Sequence, residues 1–437
     1  MILKSVYQSL WYIASPFVPM YLKDRANHQK EIPERLSERY GITTKQRPNG
    51  PLIWIHGASV GEALSAISVV ENFLAEDPAL TILFTTGTVT SAALLEKRIQ
   101  SQRVIHQFIP LDHPKWVGRF YDHWQPDAII WLESEIWPSL LTEAKKRSIP
   151  ACLLNGRMSL KSFKLWSWFK PLVSEAIRTF DLCLVQSSHD SERFSTLGAN
   201  NLSLLENLKY GAPKPYVDLS EKKRFEGLLK GRQLCLFASS HEGEEEQFFG
   251  IYAGLKEQYP NLLFVLAARH PSRREELERL ADSFQLKMLR HSESSDYTAE
   301  KINGVDIYLV DTIGDMGLFY ELSPYCVIGG SFIPWGGHNP IEPAQCSSVV
   351  FMGPHYGNFL QICADFKAEN AMIFVNDINE LQKELKVVFQ DKEVASDYQK
   401  RASELVDVKK MTLASTLDRI KQLFHTKNPH LFSRISS

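Results

Sequence analysis

Beyond residue 50 the chain alternates short, nearly continuous apolar runs with longer segments of helical periodicity. The first runs are PLIWIHGAS at 51–59, TILFTTGT at 81–88, VIHQFIP at 104–110, DAIIWLESE at 127–135, PACLLNG at 150–156, LCLVQS at 182–187 and a weaker LSLLEN at 202–207. A second series follows: QLCLFASS at 233–240, NLLFVLAARHP at 261–271, DIYLVDT at 306–312, YCVIGGS at 325–331, VVFMG at 349–353 and AMIFVN at 371–376. Runs that stay apolar at both alternate positions suit strands buried on both faces, the situation of a parallel sheet covered by helices. Two successive series predict an α/β chain with two tandem Rossmann-like, doubly wound domains facing a central cleft. The joint falls at 211–220, GAPKPYVDLS, where a glycine and two prolines break the pattern. The expected domains are therefore 23–212 and 213–437, with a tail that frays after about His425.

The first 22 residues follow a different pattern. From Ser5 to Leu22 there is no charged residue, and Val6, Leu10, Trp11, Ile13, Phe17, Met20 and Tyr21 make the stretch strongly apolar and aromatic. Residues 1–22 are expected to form a membrane anchor. The stretch is about long enough to span a bilayer, but Pro16 and Pro19 interrupt it, so a segment lying in the interface fits as well as a span. No small-residue cleavage pattern follows, which favours a retained anchor over a signal peptide. A buried first helix is the reading that needs no membrane. Lys23, Arg25, Lys30, Arg35 and Arg39 come next, interleaved with acids, and those cations suit an anionic leaflet.

Composition narrows the function. The 437 residues carry 49 Lys+Arg against 51 Asp+Glu, a formal net charge of -2. No surplus of cations exists to displace counterions, so nucleic acid is not an expected partner. The six cysteines are scattered with no C-x-x-C spacing, which reads as reduced thiols in the cytoplasm. Without H-E-x-x-H or a D-x-D cluster, neither a metal site nor a cofactor is expected.

In doubly wound sheets ligands bind beyond the carboxyl ends of the strands. In the second half, Gly329-Gly330-Ser331 followed by Gly336-Gly337-His338-Asn339-Pro340 and Glu342 reads as a phosphate or carboxylate cradle, because glycines let backbone N–H groups approach an anion. Three neighbouring strand ends carry Ser239-Ser240-His241-Glu242-Gly243-Glu244, Arg269-His270-Pro271 and Asp311-Thr312-Ile313-Gly314-Asp315. Arg269 has the forked donors that suit a phosphate. The acids from Glu242 to Glu246 also suit a helix's first turn. In the first half, His56-Gly57-Ala58-Ser59-Val60-Gly61-Glu62 ends one strand and Glu133-Ser134-Glu135-Ile136-Trp137-Pro138 another. Two carboxylates at a strand end can act as acid and base, or cap a helix. Lys209, in Asn207-Leu208-Lys209-Tyr210, can offset charge on a leaving group.

As a set these motifs, with Glu38-Arg39-Tyr40-Gly41 and Asn155-Gly156-Arg157-Met158-Ser159, resemble the 3-deoxy-D-manno-octulosonic acid (Kdo) transferases, glycosyltransferases of the GT-B type. The similarity spans nearly the whole chain. It implies inverting transfer of Kdo from CMP-Kdo to the lipid A precursor, lipid IVA, in lipopolysaccharide assembly at the cytoplasmic side of the inner membrane, in contact with its phospholipids. It also implies Glu38 as general base, with Glu133 and Lys209 stabilising the transition state. Glu34 lies in a similar context, but Gly41 selects Glu38; Ser37 stands where the family carries glycine. CMP-Kdo contacts are implied at Arg269, His270, Ile313, Gly314, Asp315, Ser331, Gly337, His338, Asn339 and Glu342. The acceptor side takes in Ser59, Gly61, Glu62, Glu135 and Arg157. The alternatives are another GT-B nucleotide-sugar enzyme, an epimerase included, and an inactive membrane-tethered nucleotide-binding protein.

Overall fold

A computed structural model describes residues 2–432 apart from Ser59, Gln100 and Ser134. The chain forms two compact units, Met1–Ala212 with Met411–Ser437, and Pro213–Lys410. The expected second domain ran to residue 437. Instead the long helix Lys392–Lys427 leaves the second unit and ends in the first. There Leu413, Leu417, Ile420 and Phe424 join the core. Past His425 the chain stays packed through Phe432, the last described residue: His425 Nδ1 lies 2.8 Å from the Leu431 carbonyl oxygen, and Leu431 and Phe432 are buried.

Each unit is built on a seven-stranded, all-parallel sheet. The first sheet has β1 (Leu52–His56), β2 (Thr81–Thr86), β3 (Val104–Phe108), β4 (Ala128–Leu132), β5 (Ala151–Gly156), β6 (Leu182–Val185) and β7 (Leu202–Leu204), in the order β3-β2-β1-β4-β5-β6-β7. The second has β8 (Gln233–Ser240), β9 (Leu262–Ala268), β10 (Met288–Arg290), β11 (Ile307–Val310), β12 (Tyr325–Ile328), β13 (Val349–Met352) and β14 (Ile373–Phe374), in the order β10-β11-β9-β8-β12-β13-β14. The central strands are buried on both faces, as their unbroken apolar runs require. In the first sheet, Ile53, Ile55, Ile130 and Leu132 serve one core, while Leu52, Trp54, Ile129 and Trp131 serve the other. Strand order reverses between β1 and β4 in the first sheet and between β8 and β12 in the second. Ligands of doubly wound sheets bind at such switch points.

The N-terminal segment folds as the helix Ile2–Ala14, a tight turn Ser15–Phe17 and the helix Val18–Asn27. Pro16 and Pro19 fall in first turns, where the missing N–H costs no helical hydrogen bond. At 100° per residue, Tyr7 and Trp11 share one face of the first helix, and both are held by the fold. The Tyr7 hydroxyl donates to Asp112 at 2.7 Å, and Trp11 packs with Val18, Leu22 and Trp116. Leu3, Val6, Leu10 and Ile13 form a second face, and it is exposed. No helix among the described residues is long and apolar enough to cross a membrane.

Several cations behind this segment are held in ion pairs within the fold. Glu31 is buried and takes Arg25 and Arg39 at 3.0 Å each, and Arg35 pairs with Glu38. All six cysteines are free thiols and five are buried.

Candidate active site

At the first switch point, Glu133 follows directly on β4 with φ 54°, a left-handed conformation that non-glycine residues adopt at a cost. Its N–H donates to the Leu154 carbonyl at 3.1 Å, which holds the residue at the end of the sheet. Burial, reinforced by the negative charge of Glu62, raises the Glu133 carboxyl to about 7, against the opposing pull of Arg157. Glu135 is also raised, mainly by burial, although Trp137 Nε1 donates to it at 2.8 Å. Glu62, in the first turn of the helix Val60–Glu76, is buried and accepts the Ala58 N–H at 2.8 Å. Glu62, Glu133, Glu135 and Arg157 thus form one electrostatic group. Gly61 lies in the same first turn as Glu62, and Ser59 falls outside the described residues.

Glu38 stands elsewhere on the same sheet. It is 5% exposed, in the run of 3-10 turns Pro33–Tyr40, and Arg35 clamps it with two bonds of 2.8 Å. The Phe108 N–H at the end of β3 donates to it at 2.6 Å. Because β3 is the edge strand, Glu38 and Glu133 close strands at different places along the sheet. Gly41, which selected Glu38 over the exposed Glu34, has φ 70°. A Cβ there would come within 2.2 Å of the Trp116 carbonyl oxygen, so the motif glycine is a packing requirement. Lys209 lies in the tight turn Leu208–Gly211, where Asn207 Oδ1 accepts its N–H at 3.1 Å. Its side chain reaches solvent, yet desolvation lowers its pKa. His56, at the end of β1, was not among the expected site residues. It is fully buried, burial lowers its pKa to about 3, and its Nε2 has no hydrogen-bond partner among the described residues.

The second switch point corrects part of the expected anion cradle. The N–H groups of Gly330 and Phe332 already have an anion, the buried Glu244 carboxylate, at 2.8 and 3.0 Å. The same carboxylate accepts the His241 N–H at 2.9 Å. Ser331 is fully buried: its hydroxyl donates to the Ile328 carbonyl at 2.5 Å and accepts the Gly353 N–H at 2.9 Å. Gly-Gly-Ser is therefore a closure between β12 and the helix Glu244–Lys256, and Ser331 is not placed to touch a ligand. The glycines are needed for close approach, since a Cβ on Gly329 would lie 2.3 Å from the Ser239 carbonyl oxygen. We expect Gly329→Ala to destabilise the second unit by about 2 kcal/mol or more through backbone displacement, measured as a fall in thermal midpoint; an unchanged midpoint would refute this packing account.

The open part of this site comes from later residues. Gly336 and Gly337 have φ 106° and 75° and carry the chain to His338. His338 Nε2 and His241 Nε2 are 2.7 Å apart, a separation at which one nitrogen donates and the other accepts. Burial, with His241 and Arg269 nearby, lowers His338 to about 4. Asn339 Nδ2 donates to Glu342 at 3.2 Å, fixing both side chains relative to the backbone. The helix they open, Ile341–Gln345, has only five residues, so its dipole is a smaller contribution than the sequence suggested.

Arg269 and His270 follow β9 and are exposed. Ile313 is 90% exposed beside Gly314 at φ 108°, and Thr312 Oγ1 donates to Asp315, closing that loop on itself. Two supporting groups were missed from sequence. Arg273 binds buried Glu245 at 2.7 Å, and Ser240 donates to the same carboxylate, so the β8 and β9 ends are locked together. Trp335 lies 4.4 Å from the His241 ring and is largely exposed, a flat surface suited to stacking. Among the described residues no three metal-binding side chains stand together.

Comparison with known proteins places the chain. A family profile described as "3-Deoxy-D-manno-octulosonic-acid transferase (kdotransferase)" matches residues 34–212. The chain is 33% identical over 438 residues to the probable mitochondrial 3-deoxy-D-manno-octulosonic acid transferase of Arabidopsis thaliana, covering 98% of this chain and 96% of that protein. It is 31% identical to the 3-deoxy-D-manno-octulosonic acid transferase of Rickettsia bellii, covering 96% and 99% respectively. In fold it is similar to a glycosyltransferase from Rickettsia africae, with a TM-score of 0.52 at 12% identity over 87% of this chain and 99% of that one. A putative UDP-N-acetylglucosamine 2-epimerase from Listeria monocytogenes has the same TM-score and identity, over 86% and 97%. At such low identity these two structures speak to the fold alone: two parallel-sheet α/β domains of the GT-B kind. With near-complete coverage by its relatives, the chain belongs to the 3-deoxy-D-manno-octulosonic acid transferase family and is a glycosyltransferase.

Proposed function

We propose that the protein transfers Kdo from CMP-Kdo to lipid IVA, with inversion, at the cytoplasmic face of the inner membrane. The observation that carries this reading is that most of the family's motifs follow strand ends, and the four that hold Glu62, Glu133, His241 and Gly330 stand at the two points where strand order reverses. In the second unit, Arg269, His270, the Ile313–Gly314 backbone and the Gly337–Glu342 segment offer donors and a polar rim to a nucleotide phosphate. Trp335 adds a stacking face. In the first unit, a carboxylate takes the proton of an acceptor hydroxyl as its oxygen attacks the anomeric carbon. The bond from that carbon to phosphate breaks, and CMP leaves with the electron pair. Arg269 offsets the charge that develops on the leaving phosphate. The exposed apolar face of the first helix supports a membrane location, as an interfacial contact in preference to a span.

The motif assigns the base to Glu38. A second reading rests on one observation: the buried Glu133 carboxyl is raised to about 7, where a general base works best. The donor half is tested by titrating the protein with CMP in a calorimeter. We expect saturable binding, weakened about tenfold or more by Arg269→Ala, since a charged hydrogen bond contributes about 1.5–3 kcal/mol. Absence of CMP binding, or identical affinity in the variant, would remove the donor assignment.

A further inference from the structure

The helix Leu160–Trp168 carries a surface that the transfer chemistry does not use. Only Phe163 and Trp166 pack against the core. Leu160, Leu165 and Phe169 are exposed, and Trp168 is 85% exposed. Lys161, Lys164, Leu165 and Trp168 stand at i, i+3, i+4 and i+7, so the exposed apolar and cationic groups share one stripe of the helix. From Arg157 to Ser174 there are four cations, Arg157, Lys161, Lys164 and Lys170, and no acid.

We infer that this helix is a second membrane contact, which docks on an anionic lipid surface. Aromatic and aliphatic tips interleaved with lysines are the composition of an interfacial helix: the rings enter the headgroup boundary while lysine stems stretch toward lipid phosphates. Charge argues against a second copy of the chain as the occupant, because a self-complementary contact would set the four cations against themselves. Position gives the contact a use. The helix begins just after β5, beside Arg157, which interacts electrostatically with Glu133. A lipid surface held there lies by the carboxyl ends of β4 and β5, where Glu133 and Glu135 stand. The inference rests on the membrane-borne acceptor proposed above, but vesicle binding needs neither donor nor acceptor, so the two can fail separately.

The test uses full-length protein and vesicles of phosphatidylcholine, with or without phosphatidylglycerol, in flotation assays. Leu165→Ser/Trp168→Ser/Phe169→Ser is expected to weaken partition into both vesicle types about tenfold. Lys161→Gln/Lys164→Gln/Lys170→Gln is expected to remove most of the preference for phosphatidylglycerol while leaving phosphatidylcholine binding unchanged. Circular dichroism and CMP titration of each variant check that the fold is intact, and transfer to a detergent-dispersed acceptor should persist. Unchanged partition in both variants would overturn the inference, as would a wild type indifferent to phosphatidylglycerol. So would concentration-dependent dimerisation that the apolar variant abolishes, since that would make the stripe an interface between copies. Vesicle results as expected, combined with no transfer by the wild type, would leave the membrane contact standing and reject the transferase reading.

Discussion

Glu133→Gln should lower the transfer rate by about 10²- to 10³-fold while making the first unit more stable at neutral pH. The rate loss is the usual size for removing a positioned acid or base. The gain in stability follows from linkage. The folded carboxyl titrates at about 7 against an ordinary value of 4.5, so the native state binds the proton more tightly than the unfolded chain. Stability contributed by that proton is full below the unfolded value and is lost as pH rises from about 4.5 to 7. Glutamine carries no such charge, so its advantage is absent at low pH and complete above about 7. The full shift would amount to about 3 kcal/mol, and solvent around a half-buried group reduces this to about 1–2 kcal/mol. Part of that shift, after burial, is like-charge repulsion with Glu62, which glutamine relieves. Denaturant melts at pH 5 and pH 8 check it: equal stability of variant and wild type at both values would show that the site does not strain this carboxylate.

The second large effect is expected at Glu38, with a different signature. Glu38→Ala takes from Arg35 its carboxylate partner, leaving the guanidinium to His106, and from the Phe108 N–H its acceptor. Leaving a buried donor and a partly buried charge unpaired costs about 2–4 kcal/mol. Transfer should therefore fall together with stability, and the alanine variant alone cannot separate chemistry from architecture. Glu38→Gln can, because its amide oxygen still accepts a hydrogen bond. If Glu38 is the base, the glutamine variant recovers much of the lost stability and almost none of the rate. Recovery of both would make Glu38 a positioning residue and assign the proton to Glu133, in which case the limb of the pH–rate profile near pH 7 disappears in Glu133→Gln and persists in Glu38→Gln.

The strands were legible because both faces of a parallel sheet must be apolar, and all thirteen apolar runs became strands. β10 was not, because Met288–Arg290 is three half-buried residues at a sheet edge, where packing asks little of the side chains. The C-terminal helix has ordinary amphipathic periodicity, and nothing local says that its part from Met411 onward packs on the first unit. The cations at 25, 35 and 39 were counted toward a lipid surface because their carboxylate partners lie 3 to 8 residues away on irregular backbone, a separation with no fixed geometry. The cradle was half legible. Gly-Gly-Ser is the composition of an anion loop, and the loop does bind an anion, but Glu244 supplies it from 86 residues away in sequence. His56 and Trp335 needed the structure, since burial and stacking are not written in the residue types.

The central claim is the reaction itself, and the product lipid tests it most directly. Purified protein is incubated with lipid IVA and freshly generated CMP-Kdo, and the lipid is analysed by mass spectrometry. The account predicts lipid carrying the added mass of one or more Kdo residues, formed only when both substrates are present and lost in Glu133→Gln under the same conditions. Lipid IVA of unchanged mass, from protein that binds CMP normally, would contradict it.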